Sequence, residues 1–234
     1  MNARADETTK QPKNNGHHIR FIPIPREQTI NTDPMKEIMK TTNSDLTLDI
    51  CTEDGARGRF YQNDEEIARK TLRQLVSPRL FSPPLLTLAS EHSISAIPTR
   101  TIDLILALTA SPPPLPLPSG WVDAVEVNDE ALCNLADLEA SATAENKHVM
   151  LAEIHTLGDW MIRLKLETII PETIQEKRQL WNHLMDLPAI PFRLKAGGIG
   201  AINPANIVRA TVCPPLDGVA ETALSADLLQ SLRP

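Results

Sequence analysis

The stretch Ile94-Ser95-Ala96-Ile97-Pro98-Thr99-Arg100-Thr101-Ile102 decides how the chain is read, because 105 residues later it runs Ile199-Gly200-Ala201-Ile202-Asn203-Pro204-Ala205-Asn206-Ile207. In each copy a short apolar strand meets a corner containing a proline, which has no N–H to give to a ladder. A second strand then begins on isoleucine. The same offset of 105 places Arg73-Gln74-Leu75 on Arg178-Gln179-Leu180 and Pro83 on Pro188. The ordered agreement of helix, proline, strand, corner and strand predicts an α+β fold with an internal duplication. Two related ββαββ-type units are expected, with mainly antiparallel sheets and one main helix per unit. One helix covers only one face of a sheet, so the two units must pack together or share a sheet to bury the rest.

Residues 45–110 make up the first unit. Leu46, Leu48 and Ile50 alternate with polar residues as a half-buried strand. Glu53-Asp54-Gly55 supplies a turn, with glycine available for positive φ, and Gly58–Tyr61 returns as a second strand. Asn63 is placed to cap a helix over Asp64–Leu75, with Glu66 three residues on. Ile67, Thr71, Leu72 and Leu75 are expected on its buried face. Beyond Pro78, Pro83 and Pro84 come strands Leu85–Ala89, Ser93–Ile97 and Ile102–Leu108. Strict alternation puts Ile102, Leu104, Leu106 and Leu108 on one face of the last strand and Ile105 and Ala107 on the other, so both faces should be covered.

Residues 148–215 form the second unit. Strands Val149–His155 and Trp160–Leu166 flank a Gly158-Asp159 turn, and a helix follows with Pro171 at its first position, running to Leu184. A hairpin over Phe192–Leu194 and Ile199–Ile202 turns at Gly197-Gly198, and Ile207–Val212 is the last strand. Between the units, residues 111–147 hold an extended polyproline spacer, Pro112–Pro118, a strand Val122–Val127 and a connecting helix capped by Asn128. Residues 216–234 suit a short closing helix capped by Ser225. Residues 1–44 read as a flexible N-terminal arm with one exception. In segment 20–25 the prolines Pro23 and Pro25 hold an apolar peptide extended, and Arg20, Phe21, Ile22 and Ile24 are the candidate partner-binding residues.

Composition excludes several classes of function. Aromatic residues make up 3% of the chain and its net charge is −7, so it has few stacking platforms and no general basic face for nucleic acid. The first unit has a mild basic bias in Arg57, Arg59, Arg69, Lys70, Arg73 and Arg79, which would serve a nucleic acid only if the six lay on one face. Cys51, Cys133 and Cys213 lie far apart with no CxxC pair, the pattern of reduced thiols in a cytoplasmic protein. No apolar run approaches the roughly 20 residues of a membrane helix, and Met1–Arg20 contains no apolar signal core.

Motifs that carry chemistry are missing. Gly197-Gly198-Ile199-Gly200 joins two strands, so it lacks the helix N-terminus that holds phosphate. Glu153 and His155 share a strand face while His148 takes the other, and two ligands are too few for zinc. Glu65-Glu66 suits the positive end of a helix dipole. No GxSxG is present, and no cysteine sits beside histidine at a helix start. No catalytic residue, metal ligand or cofactor is therefore assigned. The expected function is a non-catalytic protein-interaction module, an adaptor or subunit of a larger assembly whose partner is another protein chain, with a homo-oligomer left open. The alternatives are an enzyme with a pocket between the repeats and a regulatory nucleic-acid-binding protein.

Overall fold

The computed structural model describes residues 46–89, 93–127, 147–169, 173 and 186–213. The elements are β1 Leu46–Thr52, β2 Arg57–Gln62, helix α1 Glu65–Leu75, β3 Leu85–Ala89, β4 Ile94–Pro98, β5 Ile102–Leu108, β6 Trp121–Glu126, β7 Lys147–Thr156, β8 Met161–Ile169, β9 Ile190–Arg193, β10 Ile199–Ile202 and β11 Ile207–Cys213. Short 3-10 turns over Thr99–Thr101 and Pro204–Asn206 lead into β5 and β11. The class is mixed α+β and strand-rich. The arm 1–44 and the helices expected at Pro171–Leu184, after Asn128 and over 216–234 lie outside the described residues.

Among the described residues nine strands form one sheet in the order β11-β7-β8-β6-β9-β10-β5-β1-β2, and β3 and β4 pair only with each other. The ladders are antiparallel, apart from a parallel bridge between β6 and β9 at Val125 and Arg193. The two halves of the chain thus share a sheet, joined where β10 pairs with β5, and β6, from the region between them, is inserted between β8 and β9 of the second half.

The sheet buries a different core on each face. On one side Leu46, Leu48, Ile50, Phe60, Ile105, Ala107, Ile199 and Ala201 meet α1, with Leu86, Leu88 and Ile97 of the β3–β4 hairpin packed against them. On the other, Cys51, Leu104, Ile202, Phe192 and Ile190 join Ala152, Ile154, Ile162 and Leu164. Leu115 packs on the first core and Leu117 on the second, so the proline run passes between the two. No helix among the described residues is long and apolar enough to cross a membrane.

Two details correct the sequence reading. The helix cap is Asp64, one residue beyond Asn63, and its carboxylate accepts the N–H groups of Glu66 at 2.9 Å and Ile67 at 3.0 Å. The buried face is then Ala68, Leu72 and Leu75, spaced four and three apart, while Ile67 is 48% exposed and Thr71 half-buried. In β5 the alternation breaks at its start. Cys51 pairs with Leu104 and Thr52 with Ile102, leaving Asp103 as an extra residue, a β-bulge. The bulge turns Ile102 toward the helix-side core with Ile105 and Ala107, whereas Leu104, Leu106 and Leu108 face the other core.

Candidate functional site

The basic residues of the first half divide between the two sides of the sheet. Asp49, fully buried in β1, lies opposite Arg59 across the β1–β2 ladder. Arg59 clamps it with two bonds, Nε to Oδ1 at 2.6 Å and Nη2 to Oδ2 at 2.9 Å, and Arg57 Nη2 also donates to Oδ2. This is the arrangement a buried carboxylate needs, and the hydrogen bond to Asp49 raises the pKa of Arg59. Asp49 pairs across with Leu106, so this triad sits on the face away from α1. Arg69, Lys70 and Arg73 ride exposed on α1, where Arg69 pairs with Glu65, and Arg79 is exposed after it. The six do not share one face.

A second polar cluster forms a seam between the start of β5, the β7–β8 turn and the turn before β11. Asp103 Oδ2 accepts the Thr156 hydroxyl at 2.7 Å and the Gly158 N–H at 2.7 Å, and Oδ1 accepts Asn206 Nδ2 at 2.9 Å. Asn203 donates to the carbonyls of Thr99 and Ile102, and Asn206 donates also to those of Arg100 and Ile102. Trp160 Nε1 donates to the Thr52 carbonyl at 3.1 Å, and Leu157 N–H to the Asn206 carbonyl at 3.0 Å. These bonds curl the sheet so that the β7–β8 turn lies against the start of β5. Asp103 is wholly inaccessible and has three donors, so it holds structure and reaches no substrate. Sequence reasoning passed over both aspartates. Their signal was a lone carboxylate inside an apolar run, Leu48-Asp49-Ile50 and Ile102-Asp103-Leu104, which forces a buried charge to find partners.

On the outer side of β7, β8 and β11, Glu153 meets His155 Nε2 at 2.7 Å and Arg163 Nε at 3.0 Å, and Arg209 Nη2 lies 2.8 Å from His155 Nε2. Glu153 and His155 share a face as their spacing required. No group of three or more metal-ligating side chains occurs among the described residues. Burial pushes the Cys51 thiol up to about 12, so it is an inert core residue.

Among the described residues the β3–β4 hairpin carries the most exposed large apolar side chain, Ile94. One face rests on the α1-side core through Leu86, Leu88 and Ile97. The other carries Leu85, Thr87, Ala89, Ile94, Ala96 and Pro98, all exposed and none charged. Leu85 is 49% exposed and Ile94 75%. An apolar cleft of about 140 Å³ opens beside the hairpin, between α1 and β2, and its walls include Leu48, Phe60, Ile67, Leu75, Leu86 and Leu88. Of the sequence candidates, Arg20, Phe21, Ile22 and Ile24 lie outside the described residues. Comparison of the chain with models of protein families, with curated proteins and with solved structures finds no match to any of them.

Proposed function

We propose that the chain is a non-catalytic protein-interaction module, an adaptor or subunit of a larger cytoplasmic assembly, that binds through its hairpin. The observation that carries this is the uncharged outer face of β3–β4, with Leu85 and Ile94 in solvent beside an apolar cleft. A two-stranded hairpin is marginal alone, and exposed apolar surface of this kind marks an interaction site. Among the described residues the fully buried aspartates, Asp49 and Asp103, are both held by structural donors, so neither favours the enzyme alternative. The segment 20–25, with Phe21, Ile22 and Ile24, is proposed as a second partner contact.

The proposal includes the duplication, now drawn more finely. Several relationships support it. The β1–β2 ladder runs from Leu46 opposite Gln62 to Cys51 opposite Arg57, and the β7–β8 ladder has Met150 opposite Leu166 and His155 opposite Met161, each 104 residues on. The bulge at Asp103 recurs at Val208, 105 residues on, where Thr156 pairs with Ile207 and His155 with Arg209. Glu53 N–H donates to the Thr101 carbonyl, and Leu157 N–H to that of Asn206. The first ladder's register, the bulge and the corner bond recur, with one residue of slippage before β3, while the β3–β4 ladder (Leu88 opposite Ser95) is one residue off that of β9–β10 (Phe192 opposite Gly200).

Affinity purification of the full chain from its native host, with mass spectrometry of what accompanies it, tests the function. The control is a Leu85→Lys/Ile94→Lys double variant, whose exposed positions tolerate the change. Proteins that accompany the wild type and are lost with the variant, at unchanged melting temperature, support the reading. An identical set for both, or none for the wild type, overturns it.

A further inference from the structure

We infer that the edge of β4 left unpaired among the described residues pairs with the corresponding edge of β11 in a second copy of this chain, in an antiparallel register that sets Ala96 opposite Ala210 and Ile94 opposite Val212. The inference rests on the duplication proposed above and names the partner that the hairpin fits.

The starting point is a difference between equivalent hairpins. In the second half, β9–β10 docks on the main sheet because β10 pairs with β5, Ile199 opposite Ala107 and Ala201 opposite Ile105. Ile199 is buried there in the α1-side core. Its counterpart 105 residues earlier is Ile94, equally apolar and yet 75% exposed. β4 therefore has side chains suited to a docked strand, and among the described residues no strand pairs on its outer edge.

The same offset identifies what should dock. The strand that receives β10 is β5, and the counterpart of β5 is β11. Among the described residues β11 pairs with β7 on one side and with no strand on the other. β4 and β11 thus carry the two halves of one ladder, and within the chain they are not joined. Carrying the β5–β10 register across gives Ile94 opposite Val212, Ser95 opposite Thr211, Ala96 opposite Ala210 and Ile97 opposite Arg209, three apolar or hydroxyl pairs and one pair with a single charge, so no like charges meet. Natural edges are usually blunted by lysine, inward charge or proline in mid-strand, and β4 has only Pro98, at its end. A second copy supplies both edges at once. Pairing β4 of each with β11 of the other uses the same contact twice and closes as a two-fold dimer.

The test mixes two proteins that each have one accessible introduced cysteine, Ala96→Cys and Ala210→Cys, each a full chain with Cys133 and Cys213 replaced by serine and the buried Cys51 retained. Directly opposed residues in an antiparallel ladder lie about 4.5–5.5 Å apart at Cα, within disulfide reach. On mild oxidation the mixture should yield a two-chain disulfide species, and neither protein alone should. Substituting Val208→Cys for Ala210→Cys should reduce the yield several-fold. Light scattering of the unmodified chain should give a dimer that Ile94→Lys turns into a monomer of unchanged melting temperature. A monomeric wild type with no mixed disulfide overturns the inference, as does cross-linking that is indifferent to register. If self-pairing fails while other proteins still accompany the hairpin, the interaction reading stands without it. If the dimer forms and nothing else binds, the adaptor reading falls and this inference holds.

Discussion

Asp103 and Thr156, 53 residues apart, meet across the seam of the sheet, the threonine hydroxyl donating to Oδ2 at 2.7 Å. The same carboxylate holds the Gly158 N–H and the Asn206 amide. Removing it orphans buried donors, each worth about 1–3 kcal/mol. Asp103→Ala should therefore lower stability by about 3–5 kcal/mol, and Thr156→Val by about 1–2 kcal/mol. Urea unfolding followed by tryptophan fluorescence measures both. Losses under 1 kcal/mol at Asp103 would mean that the seam is not held by this carboxylate.

Asp49 offers a contrast between buried and exposed ion pairs. Asp49→Ala leaves two guanidinium groups without their shared carboxylate and should cost about 3–5 kcal/mol. Arg59→Lys keeps the charge but gives up the two-pronged grip on Asp49, and about 1–3 kcal/mol is expected. Arg69→Ala removes only the exposed pair with Glu65 and should change stability by less than about 0.5 kcal/mol. Similar losses for Arg59→Lys and Arg69→Ala would show that the triad is solvated.

The Gly197-Gly198 hairpin makes two separate demands on glycine. Gly198 has φ of +115°, and an added Cβ there would sit on the Ala107 carbonyl and 3.0 Å from Leu108 Cα. At Gly200 the backbone is ordinary, and the obstacle is the Phe192 ring, whose Cε2 would lie 2.6 Å from the new Cβ. Gly198→Ala combines backbone strain with a backbone clash and is expected to be the worse of the two. Gly200→Ala should cost about 1–3 kcal/mol by overpacking, and a Gly200→Ala/Phe192→Leu double variant should recover part of it. Failure of the second change to rescue the first would place the strain elsewhere.

How far the sequence can be read depends on where the information is held. Strand positions were legible because alternation is a local signal: β5 occupies the Ile102–Leu108 span read from periodicity alone. Alternation placed Leu104, Leu106 and Leu108 on one face of β5 and Ile105 and Ala107 on the other, as found. Only the face of Ile102 was not legible, because the bulge at Asp103 follows its pairing with distant donors set by the fold. The α1 cap shows the same limit on a smaller scale, since Asn63 and Asp64 are both good caps and only the entry angle of the chain selects Asp64. The candidate basic set was legible as composition but not as a surface, because Arg57 and Arg59 are claimed by Asp49. The hairpin surface could not be read at all. Leu85 and Ile94 look like core residues in sequence, and whether a strand covers them is decided by sheet order, which no local pattern encodes.

The corrected face of α1 leads to a paired comparison. Leu72 is buried against the first core, so Leu72→Ala should cost about 2–5 kcal/mol. Ile67 stands half in solvent on the wall of the cleft, and Ile67→Ala should cost less than about 1 kcal/mol in the isolated chain. Thermal or urea unfolding of the two variants decides between the faces. A large loss at Ile67 would restore the helical face read from the sequence.

The last prediction concerns pH. Burial raises the pKa of Glu126 above the ordinary carboxylate value, opposed in part by the Lys195 N–H that donates to Oε2 at 3.3 Å and by the charge of the lysine. A carboxyl group raised in the folded state binds its proton more tightly there than in the unfolded chain. Its contribution favours the fold below the unfolded pKa and is lost as pH rises through the folded one. Glu126→Gln carries no titrating proton at this position. The stability of the wild type relative to this variant should therefore fall as pH rises, beginning near 4.5, the unshifted value, and levelling off above the raised pKa. Urea midpoints taken in half-unit steps between pH 4 and 7 follow the difference directly. A constant difference would mean that Glu126 keeps its water in the fold, and a difference that grows with pH would mean that Lys195 outweighs the burial.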